Sequence, residues 1–201
     1  MYIPDDHQMP AGRVMPFMQA YPFATLVSVG ANGLPIATHL PFIVEEQAGK
    51  LILTSHMARP NPQWAGLPGQ QALVIFQEPH AYISPTHYDH ELNVPTWNYL
   101  AVHAYGEVRL IEGSDESRAC MNKLIDTFEA GYAAQYAALP AKYKDRLFQA
   151  LVMFEVAVTR LDAKAKLSQN KTNSERERIG SALSASEDGV VRDLGSLMAH
   201  G

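Results

Sequence analysis

The chain has 201 residues, of which 47% are hydrophobic and 18% are charged, so it can bury a substantial core and is not an intrinsically disordered chain. Its formal net charge of −5 disfavours a protein whose whole surface attracts nucleic acid or anionic lipid. The single cysteine, Cys120, excludes an intrachain disulfide framework, and the lack of a long apolar run or a signal-peptide pattern predicts a cytoplasmic protein without a membrane span.

The first half of the chain has the pattern of strands joined by turns. Asn32 and Gly33 form a dipeptide that is typical of a tight hairpin turn. Gly106 lies inside the longest apolar run, where it predicts a bend with the glycine facing outward. The runs predicted as strands are 24–29, 34–44, 51–54, 72–76 and 96–110.

The hydrophobic period changes in the second half. Ser114 is a candidate N-cap for a helix that ends near Gly131, and residues 143–151 indicate a shorter second helix. Residues 152–159 then alternate between apolar and polar side chains, as a half-buried strand does. From Ser174 onward the pattern becomes helical again.

This order of elements favours an α+β protein that is mainly β, with an antiparallel barrel and helices packed outside it. No alternation of strands and helices indicates a Rossmann fold. We expect one barrel domain over residues 1–173, interrupted by a helical insertion at 114–150, and a C-terminal helical extension at 174–201 that packs on the same domain.

The segment 54–64 is the most informative for chemistry. A strand ends there in the polar side chains of Ser55, His56 and Arg59, and Asn61 stands where an N-cap would, ahead of Pro62. Free amides at a helix N-terminus and a planar guanidinium both suit a phosphate dianion. The segment therefore predicts a phosphate site, with a polar strand end and a surface turn as the alternative.

A second polar cluster lies at 164–171, where three lysines and three neutral hydrogen-bonding side chains share eight positions. Amide side chains offer paired donors and acceptors, and a lysine stabilises a developing anion. Such a loop suits the polar edge of a heteroaromatic ring and its phosphate. The alternative is a solvated basic loop.

Histidines are concentrated between His80 and His103, and His87 and His90 lie beside two carboxylates. Zinc or iron accepts these ligand types, but the spacing is not specific, and a loop of exposed histidines is the favoured interpretation. Trp97 shares a strand face with Tyr99, which is typical of core or subunit-interface packing.

Five segments together carry a family resemblance, although each is short. In this order along the chain they closely resemble the PaiB-type FMN-binding negative transcriptional regulators of bacteria. The segments are 38–42, 56–64, 79–85, 94–99 and 166–171.

The resemblance implies a split β-barrel and a homodimer that holds FMN at its interface. It assigns one group of residues to the FMN phosphate. It assigns a second group, from this chain or from its partner, to the polar side of the flavin. The phosphate group comprises Ser55, His56, Arg59 and Asn61, with Met57 and Ala58 in the same motif. The second group comprises Lys166, Ser168, Gln169, Asn170 and Lys171.

Three functions follow as hypotheses. The first is a flavin-binding regulator, whose contact with DNA would be weak and steeply salt-dependent because the basic strip is modest. The second is a flavin-dependent NAD(P)H oxidoreductase. The third, drawn from related split barrels that bind haem, uses the histidine-rich loop to hold haem or a metal ion. The basic strip comprises Arg160, Lys164, Lys166, Lys171, Arg176 and Arg178.

Overall fold

The computed structural model describes residues 1–199. Within them the chain forms seven strands, which are β1 (Phe23–Val29), β2 (Pro35–Pro41), β3 (Ile43–Gln47), β4 (Lys50–Ala58), β5 (Gln71–Ile83), β6 (Thr96–Ile111) and β7 (Leu151–Lys166). They form one antiparallel sheet in the order β2-β1-β5-β6-β7-β4-β3.

Helices precede the sheet, interrupt it between β6 and β7, and follow it. They are α1 (Ala11–Ala20), α2 (Ser114–Glu129), α3 (Ala133–Ala138), α4 (Ala141–Gln149), α5 (Asn173–Ser184) and α6 (Gly189–Ala199). This arrangement confirms the α+β class predicted from the sequence.

The chain divides into two compact units. The first unit comprises residues 1–17, 76–103 and 162–201, and the second comprises residues 18–75 and 104–161. The strands β5, β6 and β7 each contribute residues to both units. The predicted boundary at residue 173 stays a prediction, and the last two residues of the predicted extension, 200 and 201, lie outside the described residues.

The predicted hairpin turn is present, because Gly33 has φ +77° between the paired strands β1 and β2. The strand predicted over 34–44 is instead two strands. Phe42 separates them, is 1% exposed, and donates its backbone N–H to the carbonyl of Pro22 at 2.9 Å. Beyond this break the chain pairs with β4 rather than with β1.

Two features were not predicted correctly by local patterns. Helix α1 was not predicted, since Pro16 lies inside it. The helix nevertheless contributes three buried side chains, those of Val14, Phe17 and Met18. Gly106 does not face outward. It is buried, and a Cβ there would lie 2.3 Å from the carbonyl oxygen of Ala157, so the close approach of β6 and β7 requires glycine.

In the second unit, helix α2 packs on the sheet through a small apolar cluster. Cys120 is part of it, and burial raises the pKa of its thiol to about 11, which makes it unreactive. The cluster comprises Ile43, Ile111, Cys120, Leu124 and Met153.

Candidate functional site

Strand β4 presents its last residues on alternating faces. Ser55 is fully buried and Met57 is 2% exposed, whereas His56 and Ala58 lie on the opposite side. The Ser55 hydroxyl donates to the carbonyl of Pro41 at 2.6 Å. Ser55 and Met57 therefore stabilise the interior of the second unit, and their side chains are not directed at a phosphate on the outer face.

His56 is the imidazole of the predicted phosphate group. Its Nδ1 is buried without a hydrogen-bond partner in the described residues, and burial lowers the pKa of the ring. The ring is therefore held neutral at neutral pH. A buried polar atom without a partner is costly, so this nitrogen is suited to a further hydrogen bond.

Arg59 follows β4 directly and is anchored by distant backbone. Its Nε donates to the carbonyl of Gln149 at 2.7 Å, its Nη2 donates to that of Leu151 at 2.8 Å, and the guanidinium lies 5.7 Å from the Trp64 ring. It forms no ion pair in the part of the chain that the structure describes. An arginine has five N–H donors, so three of those of Arg59 are available to an anion.

Asn61 is the N-cap that the sequence predicted, with Pro62 in the first turn. The expectation of several free amides is wrong, because the element is a single 3₁₀ segment (Pro62–Gly66) and the Gln63 N–H already donates to Asn61 Oδ1 at 3.0 Å. The Asn61 amide donates to Thr38 Oγ1 at 2.9 Å. Asn61 therefore closes the turn and links it to β2.

Gln63 anchors this turn and was missed by the sequence reasoning. It is 2% exposed, and its amide nitrogen donates to Ser28 Oγ at 2.9 Å and to the carbonyl of Ile36 at 3.2 Å. The Thr38 hydroxyl donates to its Oε1 at 2.5 Å. The only local signal was its place in the 61–64 motif.

The predicted basic loop at 164–171 is a loop only in its second half. Strand β7 continues through Lys166, so Lys164 and Lys166 are strand residues. Lys164 is 8% exposed and donates to the carbonyl of Tyr2 at 3.3 Å, and Lys166 donates to the hydroxyl of Thr96. The longer strand explains why Lys164 is buried rather than solvated.

The turn after β7 is held by its own polar side chains. Ser168 has φ +60°, is 4% exposed, and exchanges hydrogen bonds with the fully buried Asn98 at 2.9 and 3.2 Å. Gln169 accepts from the N–H of Leu167 at 2.8 Å and donates to the carbonyl of Ala165. Asn170 is exposed. Ser168 and Gln169 thus shape the turn, whereas Asn170 faces solvent.

Lys171 connects this turn to the loop between β5 and β6. Its ammonium donates to Asn93 Oδ1 at 2.9 Å and lies 3.7 Å from the centroid of the Tyr88 ring. Glu175, which the sequence reasoning missed, accepts from the backbone N–H of Asp89 at 3.0 Å and completes a capping box with Thr172. These hydrogen bonds lower the pKa of Glu175. The signal for it was the Thr-x-x-Glu spacing.

The histidine-rich loop contains a short turn that contacts helix α5. His87 ends a 3₁₀ turn, and its carbonyl accepts from Arg178 Nε at 2.9 Å. Among residues 1–199, no three His, Cys, Asp or Glu side chains are grouped as metal ligands.

None of the described helices combines the length and the apolar character needed to span a bilayer.

The two predicted groups of residues therefore belong to different units. Residues 55–61 lie in the second unit, and residues 166–171 lie in the first. Each group is brought together by its own local structure.

Comparison with known proteins points to one family. Residues 1–160 match the model of the family described as "Putative FMN-binding domain". The chain is 34% identical over 202 residues to the protease synthase and sporulation protein PAI 2 of Bacillus subtilis, a match that covers 98% of this chain and 96% of that protein.

Solved structures show the same fold at low sequence identity. The FAD and heme binding protein from Mycobacterium smegmatis has a TM-score of 0.61 at 19% identity, over 81% of this chain and 74% of its own. The flavocytochrome Anf3 from Azotobacter vinelandii has a TM-score of 0.56 at 14% identity, with the same shares covered. The fold is therefore the split barrel of these flavin- and haem-binding proteins.

Proposed function

The chain belongs to the FMN-binding domain family that it matches over residues 1–160, and from that membership we propose that it is a homodimeric regulatory flavoprotein with FMN at its subunit interface. The cofactor itself is FMN. The regulatory role and the dimer are the parts that require a test. The observation that best supports the FMN site in this proposal is the anchored guanidinium of Arg59 with three unused donors.

The second unit has groups that fit the phosphate of FMN. Arg59 offers a fixed positive charge without a carboxylate partner among residues 1–199, and His56 offers a buried ring nitrogen without a partner there. Asn61 holds the turn that follows them. Charge-assisted hydrogen bonds of this kind are the strong ones in anion recognition.

The first unit has groups that fit the polar edge of the flavin ring. Lys166 uses one of its three ammonium donors on Thr96, and the Asn170 amide faces solvent. When bound, FMN supplies electron and hydride transfer. Lys166 would bind the ring edge and stabilise negative charge there, while Ser168 and Gln169 keep the turn in shape.

A titration with FMN and riboflavin tests these assignments. Arg59→Gln removes a charge-assisted partner of the phosphate, so we expect it to weaken FMN binding by about 1.5–3 kcal/mol and to leave riboflavin binding unchanged. Lys166→Gln acts on the ring and should weaken both ligands. Equal FMN affinity in wild type and Arg59→Gln would remove Arg59 from the site.

An exposed aromatic patch in the first unit supports the homodimer. Trp97 and Tyr82 are each 52% exposed, their rings meet edge to face at 6.0 Å, and His80 lies 5.9 Å from Trp97. Leu92 and Val94, in the loop before Trp97, are 99% and 77% exposed. Apolar groups exposed together in this way are typical of protein interfaces.

The basic strip offers DNA little free charge. Lys164 is buried, Lys171 contacts Asn93 and Tyr88, and Arg178 is paired with Asp89. We therefore expect any DNA contact of the dimer to involve few phosphates and to have a shallow salt dependence, instead of the steep one expected from the sequence.

Gel shifts at low salt with promoter fragments test the regulatory role, and sequence-specific complexes are the expected result. The oxidoreductase hypothesis predicts NAD(P)H oxidation in the presence of FMN, whereas the regulator needs no such turnover. Turnover without any specific DNA complex would replace the regulator with the enzyme. An absorbance scan of the purified protein separates flavin from haem.

A further inference from the structure

The helical insertion and the sheet of the second unit enclose a cavity of about 420 Å³. Its volume lies in the range of small-ligand sites. Apolar side chains from the end of β6, the start of β7 and helix α4 form one part of its wall, and Leu110, Leu151 and Phe148 among them are half-buried, so part of their surface is free. A ligand with an apolar body would therefore find apolar surface there.

Two guanidinium groups line the same cavity, each beside an aromatic ring. Arg59 lies 5.7 Å from the Trp64 ring, and Arg118 of α2 lies 5.6 Å from the Phe148 ring of α4. Because two carbonyls hold Arg59 in place, its unused donors are already oriented before any ligand arrives. A preorganised arginine of this kind suits carboxylate or phosphate.

The two arginines of the cavity differ in their partners, and within the described residues only Arg118 forms an ion pair. Arg118 is paired with Asp145, but both side chains are exposed, at 40% and 52%, so the pair is weak. Arg59 has only backbone carbonyls and an aromatic ring as partners. The remaining carboxylate of the lining, Glu112, is exposed.

We propose that this cavity binds a small organic anion, whose carboxylate or phosphate docks on Arg59 and Arg118 while its apolar part packs on the half-buried apolar side chains of the wall. The flavin phosphate and a separate metabolite are two sources of this chemistry. Asp145 competes with the ligand for Arg118. The site does not require flavin binding, although both proposals use Arg59.

The indole of Trp64 is a built-in reporter, since it lines the cavity and the chain has only one other tryptophan. In Trp97→Phe protein, the single indole N–H resonance is followed by NMR during titration with phenylacetate, acetate and benzyl alcohol. We expect a saturable shift with phenylacetate and binding at least about tenfold weaker for benzyl alcohol, which lacks the charge. No saturable shift, or equal binding of both, would overturn the proposal.

Variants of opposite expected sign separate a binding role from a structural one. Arg118→Gln should weaken phenylacetate binding by about tenfold or more, whereas Asp145→Asn should tighten it, because the competing carboxylate is gone. Arg146→Gln, on the same helix as Asp145 but outside the cavity, is the matched control and should change nothing. Effects of the same sign from Arg118→Gln and Asp145→Asn would contradict the proposal.

A competition titration identifies the source of the anion. Protein saturated with FMN is titrated with phenylacetate, and protein saturated with riboflavin is the control. If FMN alone blocks the shift, the cavity takes the flavin phosphate. If phenylacetate still binds to the FMN-loaded protein, the cavity serves a separate organic anion. If riboflavin blocks the shift as well as FMN does, the charged group is not what the cavity recognises, and the proposal fails.

Discussion

Gln63 joins the turn after β4 to β1 and β2 through one side chain. Its amide donates to the Ser28 hydroxyl and the carbonyl of Ile36 and accepts from the Thr38 hydroxyl, all inside the second unit. A buried polar network is stable only while each member keeps its partners, so the removal of one member has a large effect.

We expect Gln63→Ala to lower the free energy of unfolding by about 1–3 kcal/mol, because it removes a partner of the buried Ser28 hydroxyl and the part-buried hydrogen bonds to Thr38 and Ile36. Gln70→Ala changes an exposed amide a few residues further on and should stay within about 0.5 kcal/mol of wild type. Urea unfolding of the three proteins provides the comparison. Similar losses in both variants would show that the network of Gln63 is not the cause.

His56 makes stability depend on pH. Burial lowers the pKa of its ring in the folded protein below the ordinary value of about 6.5, so the unfolded chain binds a proton more readily than the folded one does. The stabilisation by the neutral ring is therefore complete above about pH 6.5 and is lost as the pH falls toward the folded pKa.

For FMN-free protein, we expect the free energy of unfolding to fall as the pH drops below about 6.5, and to fall less in His56→Gln. NMR titration of the imidazole checks the cause directly. A folded pKa at or above 6.5 would contradict it.

At the scale of elements, the approach of β6 to β7 depends on the missing side chain of Gly106. The nearest atom to a Cβ there is a backbone carbonyl oxygen at 2.3 Å, and backbone cannot rotate away as a flexible side chain does. The helices α5 and α6 of the first unit approach in the same manner, since a Cβ at Gly195 would lie 2.5 Å from the backbone nitrogen of Ser184.

Gly106→Ala should therefore destabilise the protein by about 1–3 kcal/mol through overpacking. Gly12→Ala is the control of opposite sign. Gly12 lies in α1 with nothing within 4 Å of a Cβ, so alanine should stabilise by about 0.4–1 kcal/mol. Thermal unfolding followed by circular dichroism measures both, and a tolerated Gly106→Ala would show that the two strands can separate at little cost.

At the scale of the whole molecule, the proposed dimer depends on the exposed aromatic patch of Tyr82 and Trp97. A lysine at its centre would put a charge where a partner needs an apolar surface.

We expect wild type to run as a dimer in light scattering coupled to size exclusion, and Trp97→Lys to run as a monomer. Phe128→Lys is the matched control, because Phe128 is 45% exposed on α2 in the second unit. It should keep the dimer mass. A dimeric Trp97→Lys, or a monomeric Phe128→Lys, would move the interface away from the patch.

Much of the architecture could be predicted from the sequence because it depends on local patterns. The hairpin at Gly33 and the cap at Asn61 follow from residue types that favour one backbone conformation each. The predicted cap of α2 was one residue off, because Gly113 is the N-cap and Ser114 is the first residue of the helix. The linear motifs also identified the family, since they need only the order of residues along the chain.

Only the tertiary structure decided what each polar side chain contacts. Arg59 donates to carbonyls 90 and 92 residues away, and Ser168 pairs with Asn98 at a separation of 70 residues. It also decided that Ser55 is buried and that Lys164 lies within a strand. The physical reason is that a hydrogen bond or a buried face depends on which distant segment packs nearby. The residue types in one short stretch of sequence do not specify that segment.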